Sequence, residues 1–271
     1  MSTEAKILPY EELIRIYREH LKPCPYVVSV VADNQSATFV AVKHTNDLKD
    51  SQITIIRNAW KEFQDNTLTS KRIILSEGGV SPLEKDEVAA IEKYGEPGLL
   101  RFWADKSDIE IDSPEPSRKY EADELLKKFS KAEVMHYYFT RQVPQWHRER
   151  HGSSAGFEEY MQYILAKYAK VLGWDFDFSL ENLIEIHESI TGEEFDYEDG
   201  QFLFDLSNPT QDSYITQKVA RASSNLRDQH FADSITKYWE EGYSIFGVFG
   251  SAHVYRLEPV IKGLATNESS V

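Results

Sequence analysis

Tyr243-Ser244-Ile245-Phe246-Gly247-Val248-Phe249-Gly250-Ser251-Ala252-His253 is the stretch from which the fold is read. Its first seven residues are an apolar run of strand length, rich in β-formers, and they predict a strand buried on both faces. Gly242 in front of it is a natural terminator for a preceding helix, because glycine takes the left-handed conformation there without a Cβ clash. Gly250 ends the run, Ser251 and Ala252 keep the turn uncrowded, and His253 projects where a helix over about 254–264 begins. Ligands in open α/β sheets gather beyond the carboxyl ends of strands. His253 therefore stands where a site belongs; its alternative is a packed or capping histidine.

The segment before the strand is helical. Ile215, Val219, Ala222 and Leu226, then Phe231, Ile235 and Tyr238, recur at helical spacing on either side of a break. At ~100° per residue the step from Leu226 to Phe231 swings the apolar stripe by roughly 140°, which leaves Arg227 about 40° from the Phe231 direction. The spacing predicts an inward-facing Arg227 beside the small residues Ala220, Ser223 and Ser224, open to a ligand. The competing reading is an arginine that snorkels past the edge of the core.

Moving toward the N-terminus, 26–32 and 37–42 are two β-rich runs at hairpin spacing, and the second delivers Lys43-His44-Thr45. An amphipathic helix over about 10–21 precedes them, and a helix over about 49–66 follows. A third strand, 71–75, feeds into Ser76-Glu77-Gly78-Gly79, where two glycines clear space around a carboxylate. Such a carboxylate suits a metal ligand or a base, and equally a turn acid capping the next helix. Helices over about 83–94 and 97–105 lead to a short strand, 108–111, after which Pro114 and Pro116 fix the backbone around Glu115. From 119 to 191 the pattern is helical: Tyr137, Arg141 and Gln145 share a face that reaches either a substrate or solvent. The stretch 192–213 reads as irregular and acidic, a candidate lid. The sum is one α/β domain over 1–271: a mixed central sheet flanked by helices, with a large helical insertion at about 119–212 before the last strand.

Composition narrows the function. With 271 residues and 41% apolar content the chain builds a full core, and a net charge of −15 argues against nucleic-acid backbones and anionic membranes as partners. The single cysteine, Cys24, excludes an internal disulfide and a cysteine-type zinc cluster. The absence of an apolar signal core or a membrane-length apolar run predicts a soluble cytoplasmic protein.

A mixed sheet would carry His44, Glu77, Glu115 and His253 to one rim. Two imidazoles and two carboxylates are a donor set for a divalent ion such as zinc, manganese or cobalt, which lowers the pKa of a bound water. One of the carboxylates, Glu77 or Glu115, would then act as base, and Arg227 would stabilise an oxyanion. Without a metal, a histidine with Glu77 activates water by general base catalysis.

These motifs resemble those of the TraB/Tiki family, which groups with erythromycin-esterase-like and ChaN-like proteins. Gly250-Ser251-Ala252-His253 is similar to its C-terminal Gly-x-x-His, Ala41-Val42-Lys43-His44 to its first such motif with alanine in place of the glycine, and Ser76-Glu77-Gly78 to its strand-end glutamate. The resemblance implies an α/β sandwich of two related halves and a metal-dependent, peptidase-like hydrolase that needs both histidines. It also admits an esterase, or a protein that binds peptide or haem without turnover. Glu115 and Arg141 have a looser parallel, as substrate-binding residues. The expected substrate is a small molecule or a peptide.

Overall fold

The computed structural model describes residues 6–32, 34–67, 71–149 and 156–265. A five-stranded sheet has the order β1-β2-β5-β3-β4, built from β1 (Tyr26–Ala32), β2 (Gln35–Val42), β3 (Lys71–Ser76), β4 (Glu110–Asp112) and β5 (Tyr243–Gly250). β1 and β2 pair antiparallel, and β2, β5, β3 and β4 run parallel, so the sheet is mixed as the sequence predicts. The register brings Val42 opposite Gly250 and Ser76 opposite Val248, so three carboxyl ends finish nearly level.

Strand alternation divides the side chains between two helical layers. Phe39, Ala41, Ile245 and Phe249 face α1 (Tyr10–Arg18), α10 (Ser251–Gly263) and the second half of α9 (Ile215–Glu240). Val40, Val42, Phe246 and Val248 face α2 (Ser51–Asn66) and α3 (Glu87–Ser107). Trp60 of α2 stacks on Trp103 of α3 with ring centroids 5.3 Å apart and meets Phe246 edge-on. Gly247 is required in β5 because the Phe39 ring occupies its side-chain space; a Cβ there would come within 2.5 Å of it.

The chain separates into two compact units: residues up to Glu115 together with those from Asp228 on, and Pro116–Arg227. The second consists of α4 (Arg118–Leu125), α5 (Lys131–Glu149), α6 (Phe157–Leu172), α7 (Leu180–Thr191), α8 (Gly200–Leu206) and the first half of α9. It has its own core, including Tyr138, Phe139, Met161, Leu165, Leu183, Leu203 and Val219. The helical insertion thus runs past the expected limit near 212, because Val219 and Ala220 of α9 belong to this core. Helix α8 falls in the stretch read as irregular. Asp199 caps it by accepting from the Phe202 amide, and Leu203 and Leu206 bury its one apolar side, too short a repeat to register as periodic.

Other boundaries shift for local reasons. The two helices expected on either side of Gly95 meet within α3 at a kink, where Gly95 is non-helical at φ 61°, and the first of them starts at Glu87 rather than near 83. Helix α10 begins at Ser251, which places His253 inside its first turn rather than ahead of it. The helical pattern of the sequence also predicts a helix over about 131–150, and its expected end at Arg150 lies outside the described residues. Among the described residues no helix is long and apolar enough to cross a membrane.

Candidate active site at the carboxyl rim of the sheet

Three parallel strands deliver the site. His44 follows β2, Glu77 follows β3, and β5 ends at Gly250, three residues before His253. Glu77 occupies the centre. Its Oε2 accepts the Gly250 N–H at 2.6 Å and lies 3.6 Å from His44 Nε2, while its Oε1 lies 3.3 Å from His253 Nε2. The chain reverses directly after Glu77 through Gly78 (φ 78°) and Gly79 (φ 111°), conformations suited to glycine. Gly250 matters for space: a Cβ on it would stand 3.0 Å from His44 Nε2 and 3.4 Å from Glu77 Oε2.

Each imidazole is held from behind by a buried carboxylate. Asp228 Oδ1 accepts from His253 Nδ1, and its Oδ2 pairs with the Arg256 guanidinium. Arg256 is itself fixed by its Nε–H to the Leu8 carbonyl at 2.9 Å and by the Tyr10 ring 4.0 Å beneath it. The Phe231 ring packs edge-on against His253, with centroids 5.3 Å apart. At the other imidazole, Glu96 Oε2 lies 3.3 Å from His44 Nδ1 while its Oε1 accepts the Thr45 N–H at 2.9 Å. With both Nδ1 atoms engaged, both Nε2 atoms are turned to Glu77.

The two histidines differ in access. His253 is buried, whereas the His44 side chain is 54% exposed. The hydrogen bond that Glu96 accepts from the His44 ring raises the His44 pKa above the ordinary histidine value; desolvation opposes it, and the Glu77 charge adds to the rise. At 3.6 Å the His44–Glu77 contact is electrostatic rather than a hydrogen bond.

Comparison with protein-family models, curated proteins and solved structures finds no match for this chain. The TraB/Tiki resemblance therefore rests on its motifs. Ala41, which replaces a motif glycine, lies within β2 between Tyr26 and Phe249, so a strand residue of any small size serves there.

The remaining expected residues fall in different places. Glu115 reaches the rim from the loop after β4, where its Oε1 accepts the Gly78 N–H at 3.1 Å. Arg227 is partly buried on α9 and is the last residue of the helical unit. Arg141 belongs to that unit as well; its guanidinium donates to the Tyr137 hydroxyl at 3.0 Å. Tyr137 in turn donates to Ser223, and Ser223 to the buried Glu121.

Sequence reasoning missed Asp228, Glu96 and Arg256. For Asp228 a signal existed. Measured from Phe231 at ~100° per residue, Ala232, Ile235 and Trp239 spread over roughly 40–100°, Asp228 falls near 60° at their centre, and Arg227 falls about 40° to the other side. The inward residue of the pair is accordingly Asp228, with 0% exposure. Glu96 had a weaker signal, an acid framed by Gly95, Pro97 and Gly98 at a helix break. Gly95 lets that break press against the His44 loop, since a Cβ on it would lie 2.7 Å from the Thr45 carbonyl oxygen.

The donor types His44, Glu77 and His253 suit zinc, manganese or cobalt, and carboxylate-held Nδ1 atoms are usual for metal-binding imidazoles. Their arrangement does not make a ready metal centre. The imidazoles address opposite oxygens of Glu77, and one of these oxygens also accepts the Gly250 N–H. Among the described residues no group of three or more His, Cys, Asp or Glu side chains is disposed to hold a metal ion.

Proposed function

We propose that the chain is a hydrolase of small acyl substrates, with His44 as the general base. The observation that carries this reading is the convergence of two imidazoles from opposite ends of the chain on one buried glutamate, each braced at Nδ1 by a second carboxylate. His44 alone of the two histidines is open to solvent. Its Nε2 takes the proton of an attacking water, and Glu96 and Glu77 stabilise the imidazolium that forms. Glu77 is kept in place by the Gly250 N–H and by His253, which Asp228 and Arg256 hold still. A water-activating site of this kind favours an ester or lactone over an amide, whose leaving amine must also be protonated. A TraB/Tiki kinship accords with this chemistry through the esterase-like relatives of that family.

The test is a panel of esters, lactones and peptides assayed with the native protein and His44→Ala. Because His44 is half-exposed, its removal leaves the fold intact, and the expected loss in kcat/KM is about 10²- to 10⁴-fold. Turnover that survives His44→Ala within a factor of three refutes the assignment.

A second reading, a metal-dependent peptidase-like hydrolase on His44, Glu77, Glu115 and His253, is favoured by the donor types and their carboxylate braces. It requires the purified protein to take up zinc, manganese or cobalt in stoichiometric amount and to lose that uptake in His253→Ala. Activity that persists through exhaustive chelation removes this reading and leaves the general-base one standing.

A further inference from the structure

Helix α5 turns Tyr137, Tyr138 and Arg141 to one side, within about 100° of arc at ~100° per residue. A chain of hydrogen bonds runs from them through the helical unit. The Arg141 guanidinium donates to the Tyr137 hydroxyl at 3.0 Å, Tyr137 donates to Ser223 at 3.0 Å, and Ser223 donates to one oxygen of the buried Glu121. The other oxygen of Glu121 accepts from the Arg118 guanidinium at 2.7 Å. Two guanidiniums therefore share one carboxylate, and both of its oxygens are engaged. Arg141 stands over the Tyr137 ring, 5.3 Å from its centroid, and among the described residues no carboxylate pairs with it.

The groups left over in this cluster are donors. Arg141 commits one corner of its N–H fork to Tyr137 and keeps the rest. The Tyr138 hydroxyl is fully buried and makes no hydrogen bond to any described residue. Burial raises its pKa, so it keeps its proton at neutral pH. Tyr168 stacks on Tyr138 with ring centroids 5.2 Å apart; its hydroxyl accepts from Gln142 at 3.2 Å, and its own proton goes to no described group. Burial raises the Tyr168 pKa as well, while the charges of Arg118 and Arg141 lower it, so both guanidiniums lie within electrostatic reach of that one hydroxyl. Arg118 and Arg141 are only partly buried, which leaves the cluster reachable from solvent.

We propose that the helical unit binds the carboxylate of a small aromatic acid, with the Arg141 guanidinium as its charge partner and the Tyr138 and Tyr168 hydroxyls as further donors. A carboxylate accepts without donating, supplies the one negative charge that the two arginines lack, and meets the edge of a guanidinium with two parallel hydrogen bonds. The surrounding tyrosine rings favour a flat aromatic body over an aliphatic one. A neutral amide of the same shape leaves Arg141 without a counter-charge, and a phosphate dianion brings a second charge toward Glu121 with no cation to meet it. The proposal is independent of the catalytic reading, because binding is measured without turnover.

The experiment is isothermal titration of the full chain with benzoate, benzamide and inorganic phosphate, repeated with Arg141→Met and Tyr138→Phe. Methionine keeps an apolar stem against the Tyr137 ring, the phenylalanine removes a single hydroxyl, and unchanged circular dichroism verifies the fold of both. The expected result is saturable benzoate binding at one site, weakened roughly tenfold or more by Arg141→Met and several-fold by Tyr138→Phe, with benzamide and phosphate each at least about tenfold weaker than benzoate. Tyr138→Phe also leaves the urea midpoint of the free protein unchanged or higher, because the hydroxyl it removes has no partner there. A hydroxyl with a purely structural role would lower that midpoint and leave benzoate affinity alone. The proposal is overturned by an absence of saturable benzoate binding up to about 10 mM, by benzamide or phosphate binding as tightly as benzoate, or by unchanged benzoate affinity in either variant.

Discussion

Replacing Asp228 by asparagine is the sharpest probe of how the site is built. The Asp228 carboxylate is fully buried and divides its two oxygens between His253 and Arg256, and Arg256 is 2% exposed. Asparagine keeps the shape, removes the negative charge and leaves the guanidinium buried beside a neutral group. Arg256 keeps its bond to the Leu8 carbonyl and its place over the Tyr10 ring, and neither of these carries a full negative charge. Breaking a buried pair from one side costs about 3–5 kcal/mol, mostly the penalty of the stranded charge. Urea unfolding followed by tryptophan fluorescence reads this as a lower midpoint at similar slope. The second half of the prediction separates stability from function. In Asp228→Asn/Arg256→Met the stranded charge is gone, so the double variant recovers most of the lost stability, a coupling of about 2 kcal/mol or more. Hydrolytic activity does not recover, because His253 still lacks the anionic acceptor at Nδ1 that aims its Nε2 at Glu77. The reasoning fails if Asp228→Asn costs less than about 1 kcal/mol, if the two substitutions simply add, or if activity returns with stability.

Two pH effects follow from other buried groups. The Glu96 hydrogen bond raises the His44 pKa, and a general base works only when neutral, so activity is gained as pH rises through a value above histidine's ordinary ~6.5. Glu96→Gln moves this acid limb of kcat/KM to lower pH; a limb that stays in place shows that Glu96 does not govern the base. In the helical unit, His136 and His187 are buried 3.1 Å apart, and burial depresses their pKa values to about 3 and about 4. Since the unfolded chain binds these protons near pH 6.5, stability is complete above that pH and is lost progressively toward pH 4. His187→Leu flattens the dependence of the urea midpoint on pH in that window, and an unchanged slope would contradict this account.

The secondary structure was legible because its signals are local. The two-faced strand 243–250, the hairpin, the strand before Glu77 and most helices announce themselves through apolar period, β-branching and glycine breaks, and each lies within a few residues of its expected bounds. The short helix α8 escaped, since seven residues carry too little periodicity to stand out from an acidic loop.

Sequence alone also picked out the three strand ends that meet at the rim, because His44, Glu77 and His253 each follow an apolar run closed by a turn. What only the tertiary structure decided is how they meet: strand order β2-β5-β3 sets Glu77 beside Gly250 and between two imidazoles. The braces behind those imidazoles, Asp228 and Glu96, come from helices packed on opposite faces of the sheet. No sequence period couples a helix to a loop 52 residues away, as Glu96 is coupled to His44, so contacts of that kind exist only once the layers have packed.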